Sequence, residues 1–229
     1  MRISLILLLT LLGNIGFTQT LYYPASGSWE ERPDQGFQSA LLDDVVQYAL
    51  ENEYEGSIDL RIAILEGFAS EPFHEIKGPV RDRGGASGLI IKDGFIVSSW
   101  GTPERVDMTF SVTKSYLSTV AGIAWQNGLI SDINAPVSKW VWDGTFDGEH
   151  NSQVSWDHLL TQSSDWSGQL FGMYDWADRP PSEGGLDEWK LRKLNTPGSV
   201  FEYNDVRVNL LAYSLLQVIR KPLPQVLKE

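Results

Sequence analysis

The sequence contains no cysteine among its 229 residues. That absence excludes disulfide bonds, thiolate ligands for a metal ion and a lipid anchor attached through cysteine. Histidine is scarce too: the three copies, His74, His150 and His158, lack the H-E-x-x-H spacing of zinc peptidases. We therefore expect no metal site and no cofactor. The G-x-S-x-G signature of Ser-His-Asp hydrolases is missing as well.

Positive charge is in short supply. Lysine and arginine total 18 against 30 acidic residues, which gives a formal net charge of -12. Such an excess disfavours nucleic acid and anionic membranes as partners and leaves a small molecule as the expected one. With 42% hydrophobic and 21% charged residues, the composition is that of a globular protein able to bury a core.

Long hydrophobic runs are limited to the first residues. Arg2 precedes an apolar run from Ile3 to Leu12, and the small residues Gly16 and Thr18 follow it. The run is shorter than the roughly 20 residues that a spanning helix needs. It predicts a signal peptide over residues 1–18 and export to the periplasm or beyond, without stable membrane insertion after cleavage. An uncleaved anchor is the alternative.

The remaining pattern predicts a mixture of helices and strands. Helical periodicity marks residues 39–53, whereas residues 59–67 could form a strand. Two β-rich runs joined by Asp93-Gly94 predict a hairpin over residues 87–101. A helix should begin near Ser111 and end near Gly128. Beyond it only helices are convincing, at residues 155–164, 186–194 and 204–221, with the start of another at the end of the sequence.

Ser111 and Lys114 stand at the start of an apolar helix. An S-x-x-K pair arises by chance about once in a chain of this composition, so Ser111 could simply cap the helix and Lys114 be solvated. Residues three apart nevertheless share a helical face, and burial would lower the pKa of the lysine toward that of a base. We expect Phe110, Val112 and Tyr116 to help bury this turn. The pair is then also a candidate nucleophile with its base.

Three segments in order resemble the serine β-lactamase and penicillin-binding-protein superfamily. They are "TFSVTKS", "DHLLTQSSDW" and "PGSVFEYNDV". The tyrosine of the last segment points to the class C-like branch, with β-lactamase-fold esterases and 6-aminohexanoate-dimer hydrolase. The resemblance implies an α+β fold of the serine β-lactamase/DD-peptidase type.

It also implies roles for individual residues. Ser111 would be the nucleophile, Lys114 would relay its proton and hold the hydroxyl, and Tyr203 would be the general base. Asn204 and Asp205 would contact the substrate. The family pattern is Y-x-N, and Asp205 places a carboxylate where an amide is usual. That departure favours esters or linear amides over β-lactams.

The family's third motif, a lysine or histidine before a small residue and glycine, does not follow Tyr203 in the sequence. We therefore expect an N-terminal fragment, truncated before the C-terminal strands. The predicted divisions are the signal peptide, a leader and helix over 19–86, and the first part of the hydrolase domain over 87–229.

The function predicted is an exported serine hydrolase that forms an acyl-enzyme with a small ester or amide. The alternatives are a β-lactamase or DD-peptidase, and a non-catalytic binding protein or inactive fragment of the same fold. Tryptophans are concentrated between the two main motifs. Each alone suggests core packing, and together they suggest an aromatic wall over the cleft. They are Trp140, Trp142, Trp156, Trp166, Trp176 and Trp189.

Overall fold

The computed structural model describes residues 22–33, 35–69, 74–176 and 185–229. The predicted signal peptide lies outside these ranges. The chain divides into two compact units: a hairpin unit of Met1–Ile58 with Asp82–Asp107, and a helical unit of Asp59–Arg81 with Met108–Glu229. The boundary predicted after residue 86 stays a prediction.

The hairpin unit contains helix α1 (Ser39–Glu51) and strands β1 (Gly88–Lys92) and β2 (Phe95–Trp100), which pair antiparallel. The connecting residues Asp93 and Gly94 have φ angles of 52° and 85°. Two positive φ angles are what a tight turn needs to match the twist of its strands, and glycine takes one of them without strain. The structure confirms the predicted helix and hairpin.

Hydrogen bonds to one arginine organise the irregular segment that follows α1. The Arg83 guanidinium donates to the carbonyls of Tyr54 (3.0 Å) and Gly56 (2.8 Å) and pairs with Glu53 at 3.2 Å. These bonds replace the apolar packing that the segment lacks. Among the described residues of this unit, Leu42 and Val97 are the buried hydrophobic side chains.

Helices dominate the helical unit. They are α2 (Leu60–Phe68), α3 (Thr113–Gln126), α4 (Trp156–Leu160), α5 (Gly185–Leu191), α6 (Asp205–Ile219) and α7 (Leu223–Val226). Strands β3 (Gln169–Leu170) and β4 (Met173–Tyr174) were not predicted, because two residues are too few to show a period. Within the described ranges, no helix is long and apolar enough to cross a membrane.

The possible strand over residues 59–67 is wrong, since α2 occupies this stretch. Its start is set by Asp59, whose carboxylate accepts a hydrogen bond from the backbone N–H of Arg61 at 2.8 Å. Such a cap satisfies one of the amides that a helix leaves unpaired at its N-terminus. A short run rich in isoleucine and leucine does not by itself distinguish strand from helix.

The core of the helical unit forms where α3, α4 and α6 pack together. Helix α3 buries Leu117, Val120, Ala121 and Ala124, which recur at helical spacing along one side. It ends before Gly128, whose φ of +71° suits the residue that follows a helix. The long buried face of α6 fixes this helix in the core. The N-terminus of α6 carries Asp205, one of the predicted site residues.

Candidate active site

Ser111 lies on a 3₁₀ turn, Phe110–Val112, directly before α3. The N-cap of α3 is Val112, and no side chain caps that helix. The structure therefore does not support a capping role for Ser111. Phe110, the preceding residue, has a φ of +44°. Non-glycine residues rarely adopt this conformation, which costs about 1–3 kcal/mol and tends to occur at functional sites.

The hydroxyl of Ser111 has two side-chain partners. Its Oγ lies 2.6 Å from Tyr203 Oη and 3.2 Å from Lys114 Nζ. The lysine ammonium also stands over the tyrosine ring, 4.8 Å from its centroid. Residues from the start of α3 and from the segment before α6 thus converge on one exposed hydroxyl. The three residues predicted to be catalytic are brought together.

Lys114 forms an ion pair with Asp205, with 2.6 Å between Nζ and Oδ1. Burial alone would lower the pKa of Lys114, but the ion pair with Asp205 and the hydrogen bond to Tyr203 outweigh it and raise the pKa above its usual value. The sequence-based expectation that burial lowers the pKa of Lys114 is therefore wrong, because the net change is an increase. The packing is also looser than expected, because Phe110, Val112 and Tyr116 are exposed. Lys114 is arranged as a cation.

Asn204 does not lie in the site with Asp205. It is buried, and its side-chain oxygen caps α6 by accepting a hydrogen bond from the N–H of Arg207 at 3.0 Å. Its side-chain amide donates to the carbonyl of Asp175. This placement argues against the predicted contact between Asn204 and substrate. It makes Asn204 the residue that fixes where α6 begins, and so where Asp205 lies.

A cavity of about 690 Å³ opens beside Ser111, Lys114 and Tyr203. Its walls are mainly apolar, and α2, α3, α6 and α7 contribute Phe68, Tyr116, Leu117, Val120, Val208 and Leu223. No tryptophan lines the described part of the cavity, so the predicted wall of tryptophans is wrong. Trp156 and Trp166 are instead fully buried in the core, and Trp142 is exposed on the surface.

A buried network of ion pairs that was not predicted from the sequence lies on the other side of the Tyr203 segment. Arg207 pairs with Asp165 at 2.7 Å and with Glu202 at 2.5 Å. Arg192 bridges Asp165 (3.0 Å) and Asp175 (2.9 Å). A signal was present, because Arg207 stands on the apolar face of α6 among residues that are all buried. A lone cation there requires buried acidic partners.

Within the described residues, no group of three or more histidine, aspartate or glutamate side chains is placed to hold a metal ion. His158 has a structural role. It forms a capping box with Ser155 at the start of α4, in which each residue's backbone N–H donates to the other's side chain at 3.2 Å.

The order of the motifs and the convergence of Ser111, Lys114 and Tyr203 agree with a comparison against protein families. The family model described as Beta-lactamase matches residues 74–229, more than half of the chain. The chain belongs to the beta-lactamase family. The predicted serine β-lactamase superfamily and its α+β fold are thereby confirmed. The family is one of hydrolases that act on small ester or amide substrates.

No curated protein matches the chain. Five solved chains match, and one of them is EstCE1, described as a hydrolase with promiscuous acyltransferase activity. The identity is 22% and the TM-score 0.40, over 60% of this chain and 43% of that structure. The chain thus spans less than half the length of EstCE1.

Proposed function

We propose that this protein is a serine hydrolase that cleaves a small ester or amide through an acyl-enzyme on Ser111. The observation that carries the proposal is the position of the Ser111 hydroxyl, within hydrogen-bond distance of both Tyr203 and Lys114 at the wall of an apolar cavity. A nucleophile, a base in contact with it and a fixed third group are the parts that nucleophilic catalysis requires.

Tyr203, in its phenolate form, is the general base in this mechanism. As Ser111 Oγ attacks the substrate carbonyl, its proton passes to Tyr203 Oη, which lies 2.6 Å away. The tetrahedral intermediate then expels the alcohol or amine, and Tyr203 donates the proton to that leaving group. A water molecule then hydrolyses the acyl-enzyme. Tyr203 removes a proton from the water, the hydroxide attacks the acyl carbon, and Ser111 Oγ leaves and takes the proton back from Tyr203.

Lys114 acts as a fixed positive charge. Its raised pKa keeps the amine protonated at neutral pH, so it donates to Ser111 Oγ and cannot accept the serine proton. Its position over the tyrosine ring stabilises negative charge on Tyr203 during the reaction. In this mechanism the charged Lys114 orients the Ser111 hydroxyl, and Tyr203 transfers its proton.

The charges of the cavity favour a neutral substrate. Lys114 and Asp205 are the charged residues in its described lining, and they are paired with each other. A substrate carboxylate, as in β-lactams and the peptides that DD-peptidases cleave, would meet the Asp205 carboxylate, while Lys114, the cation of the described lining, is already paired with Asp205. The apolar walls suit an acyl group of moderate size.

Hydrolysis of a neutral p-nitrophenyl butyrate ester, beside that of a carboxylate-bearing chromogenic cephalosporin, tests the proposal. We expect turnover of the ester to exceed that of the cephalosporin and to disappear in Ser111→Ala. Ser118→Ala, an exposed serine on the same helix, is the matched control and should behave as wild type. Faster cephalosporin turnover would support a β-lactamase, and binding without turnover would support a non-catalytic protein.

We also propose that the protein is exported, on the basis of the apolar run at residues 3–12. Expression of the whole chain in a bacterial host should yield mature protein that begins near Gln19 in the periplasm or the medium. Mass spectrometry of the N-terminus gives the answer. Retention of Met1 in cytosolic protein would contradict export.

A further inference from the structure

We propose that Gln162 is a positioning residue for Tyr203, because it holds the main chain on both sides of the tyrosine and thereby keeps the phenol beside Ser111. The proposal rests on the function proposed above. Gln162 is not part of the predicted site, and it does not line the cavity.

Two hydrogen bonds carry the inference. The backbone carbonyl of Gln162 accepts from the N–H of Glu202 at 2.9 Å, and its side-chain Oε1 accepts from the N–H of Asn204 at 3.2 Å. The two amides flank Tyr203 directly. One residue, distant in the sequence, therefore fixes the chain immediately before and immediately after the proposed base.

The conformation of Gln162 supports a specific role. Its φ is +53°, in the left-handed region where side chains other than glycine or asparagine are uncommon. Its neighbour Ser163 continues the same attachment, since the Ser163 carbonyl accepts from the N–H of Gly198 at 2.8 Å. The segment that carries Tyr203 is thus fastened to the end of α4 at three points, two of which belong to Gln162.

The catalytic consequence follows from distance. Tyr203 Oη is 2.6 Å from Ser111 Oγ, which is already the length of a short hydrogen bond. A displacement of about 1 Å in a reacting group can cost a hundredfold in rate. The acceptor on Gln162 must also have the right reach, because asparagine would withdraw it by roughly one carbon–carbon bond, about 1.5 Å.

Five variants test the proposal by their kcat and KM for a p-nitrophenyl ester. Gln162→Asn tolerates the positive φ but loses the reach, so we expect a 10- to 100-fold loss of kcat. The melting temperature should fall by several degrees, because the N–H of buried Asn204 loses its acceptor. Gln162→Glu keeps an acceptor at the same reach and should recover most of that loss. Gln153→Asn, an exposed glutamine in the same unit, is the matched control. Tyr203→Phe, alone and combined with Gln162→Asn, completes a double-mutant cycle.

The cycle separates positioning from general stability. If Gln162 acts through the Tyr203 hydroxyl, Gln162→Asn should change the residual activity of Tyr203→Phe by less than about twofold. An equal loss in both backgrounds, or wild-type kcat in Gln162→Asn, would overturn the inference while the hydrolase assignment stands. If the wild-type protein shows no turnover that depends on Ser111, the proposed function fails, and this inference fails with it.

Discussion

The two sides of the segment from Glu202 to Arg207 differ in what their side chains do. Tyr203 and Asp205 face the open cavity, where they meet Ser111 and Lys114. Glu202 and Arg207 belong to the buried ion network on the other side, and Asn204 caps α6 between them. Neighbouring residues in one short stretch therefore serve either the proposed chemistry or the anchoring of the chain.

The difference in burial shows why the two sides should respond differently to substitution. The Lys114–Asp205 pair is partly exposed, with 49% of the Asp205 side chain accessible to solvent. Pairs of that kind contribute about 0–1 kcal/mol to stability. Arg207 is 2% exposed, and removing one partner from a buried pair leaves an uncompensated charge. Substitutions on the cavity side of this segment should therefore change mainly activity, and substitutions on the buried side should change mainly stability.

Tyr203→Phe should have the largest effect on activity. Removing a general base typically lowers the rate by about 10²- to 10⁴-fold. The phenyl ring still fills its place, so the melting temperature should stay within about 2 °C of wild type. Steady-state kinetics on an ester and a thermal melt measure both quantities. A variant that loses its fold together with its activity would show that Tyr203 belongs to the structural side.

Arg207→Met should produce the opposite result. It leaves Asp165 and Asp175 with Arg192 as their remaining cation, and we expect the free energy of unfolding to fall by about 3–5 kcal/mol. Urea denaturation measures the loss. Arg61→Met, on the exposed surface of α2, is the control and should change stability by less than about 0.5 kcal/mol. An equal loss of stability in Arg207→Met and Arg61→Met would show that the buried side of the segment contributes no more to stability than the exposed surface does.

Gly198→Ala should lower both stability and activity, each by less than the two substitutions above. Gly198 has a φ of +88°, and an added Cβ would lie 2.8 Å from His158 Nε2. We expect a destabilisation of about 1–2 kcal/mol from the backbone strain, with a further loss of turnover as the Tyr203 segment shifts. Urea titration and ester kinetics measure the two effects. Unchanged stability would mean that the segment is held more loosely than its hydrogen bonds indicate.

Asp205→Asn should have the smallest effect on stability and a clear effect on pH dependence. The carboxylate is a main cause of the raised pKa of Lys114, so its removal lets burial lower that pKa. If Lys114 acts as a cation, the alkaline limb of the rate profile moves to lower pH. If neutral Lys114 were the base, activity at neutral pH would rise instead, which would contradict the division of roles.

The same shift has a consequence for folding. Because the pKa of Lys114 is raised in the folded state, its favourable contribution is fully present below its unfolded value of about 10.4 and is lost as pH rises through the folded pKa. Stability measured between pH 9 and 12 should therefore fall less steeply in Asp205→Asn. The difference should be small, because the pair is partly exposed.

Much of the local structure could be predicted from the sequence because it depends on neighbouring residues. Three features each depend on residues only a few positions apart in the sequence: the Asp93-Gly94 turn, the apolar stripe of α3 and the Ser155 cap of α4. The stretch from Leu60 to Phe68 was harder, because its short apolar run fits two periods and the capping contact of Asp59 decides between them.

The site was predictable only in part. Helical spacing brings Lys114 to Ser111, but no local rule connects either residue to Tyr203, which was identified through resemblance to a family. The charge state of Lys114 depends on Asp205, and the attachment of the tyrosine depends on Gln162. Contacts between residues so distant in the sequence require the folded chain, and for the same reason Asp165, the buried partner of Arg207, was not predicted.

Every role in the proposed mechanism depends on Ser111 being a nucleophile that its surroundings activate. The direct measurement is the intact mass of the protein after incubation with a fluorophosphonate, followed by peptide mapping. We expect one adduct per chain, located on Ser111, absent in Ser111→Ala and formed much more slowly in Tyr203→Phe. An unlabelled wild-type protein, or an adduct on another serine, would contradict it.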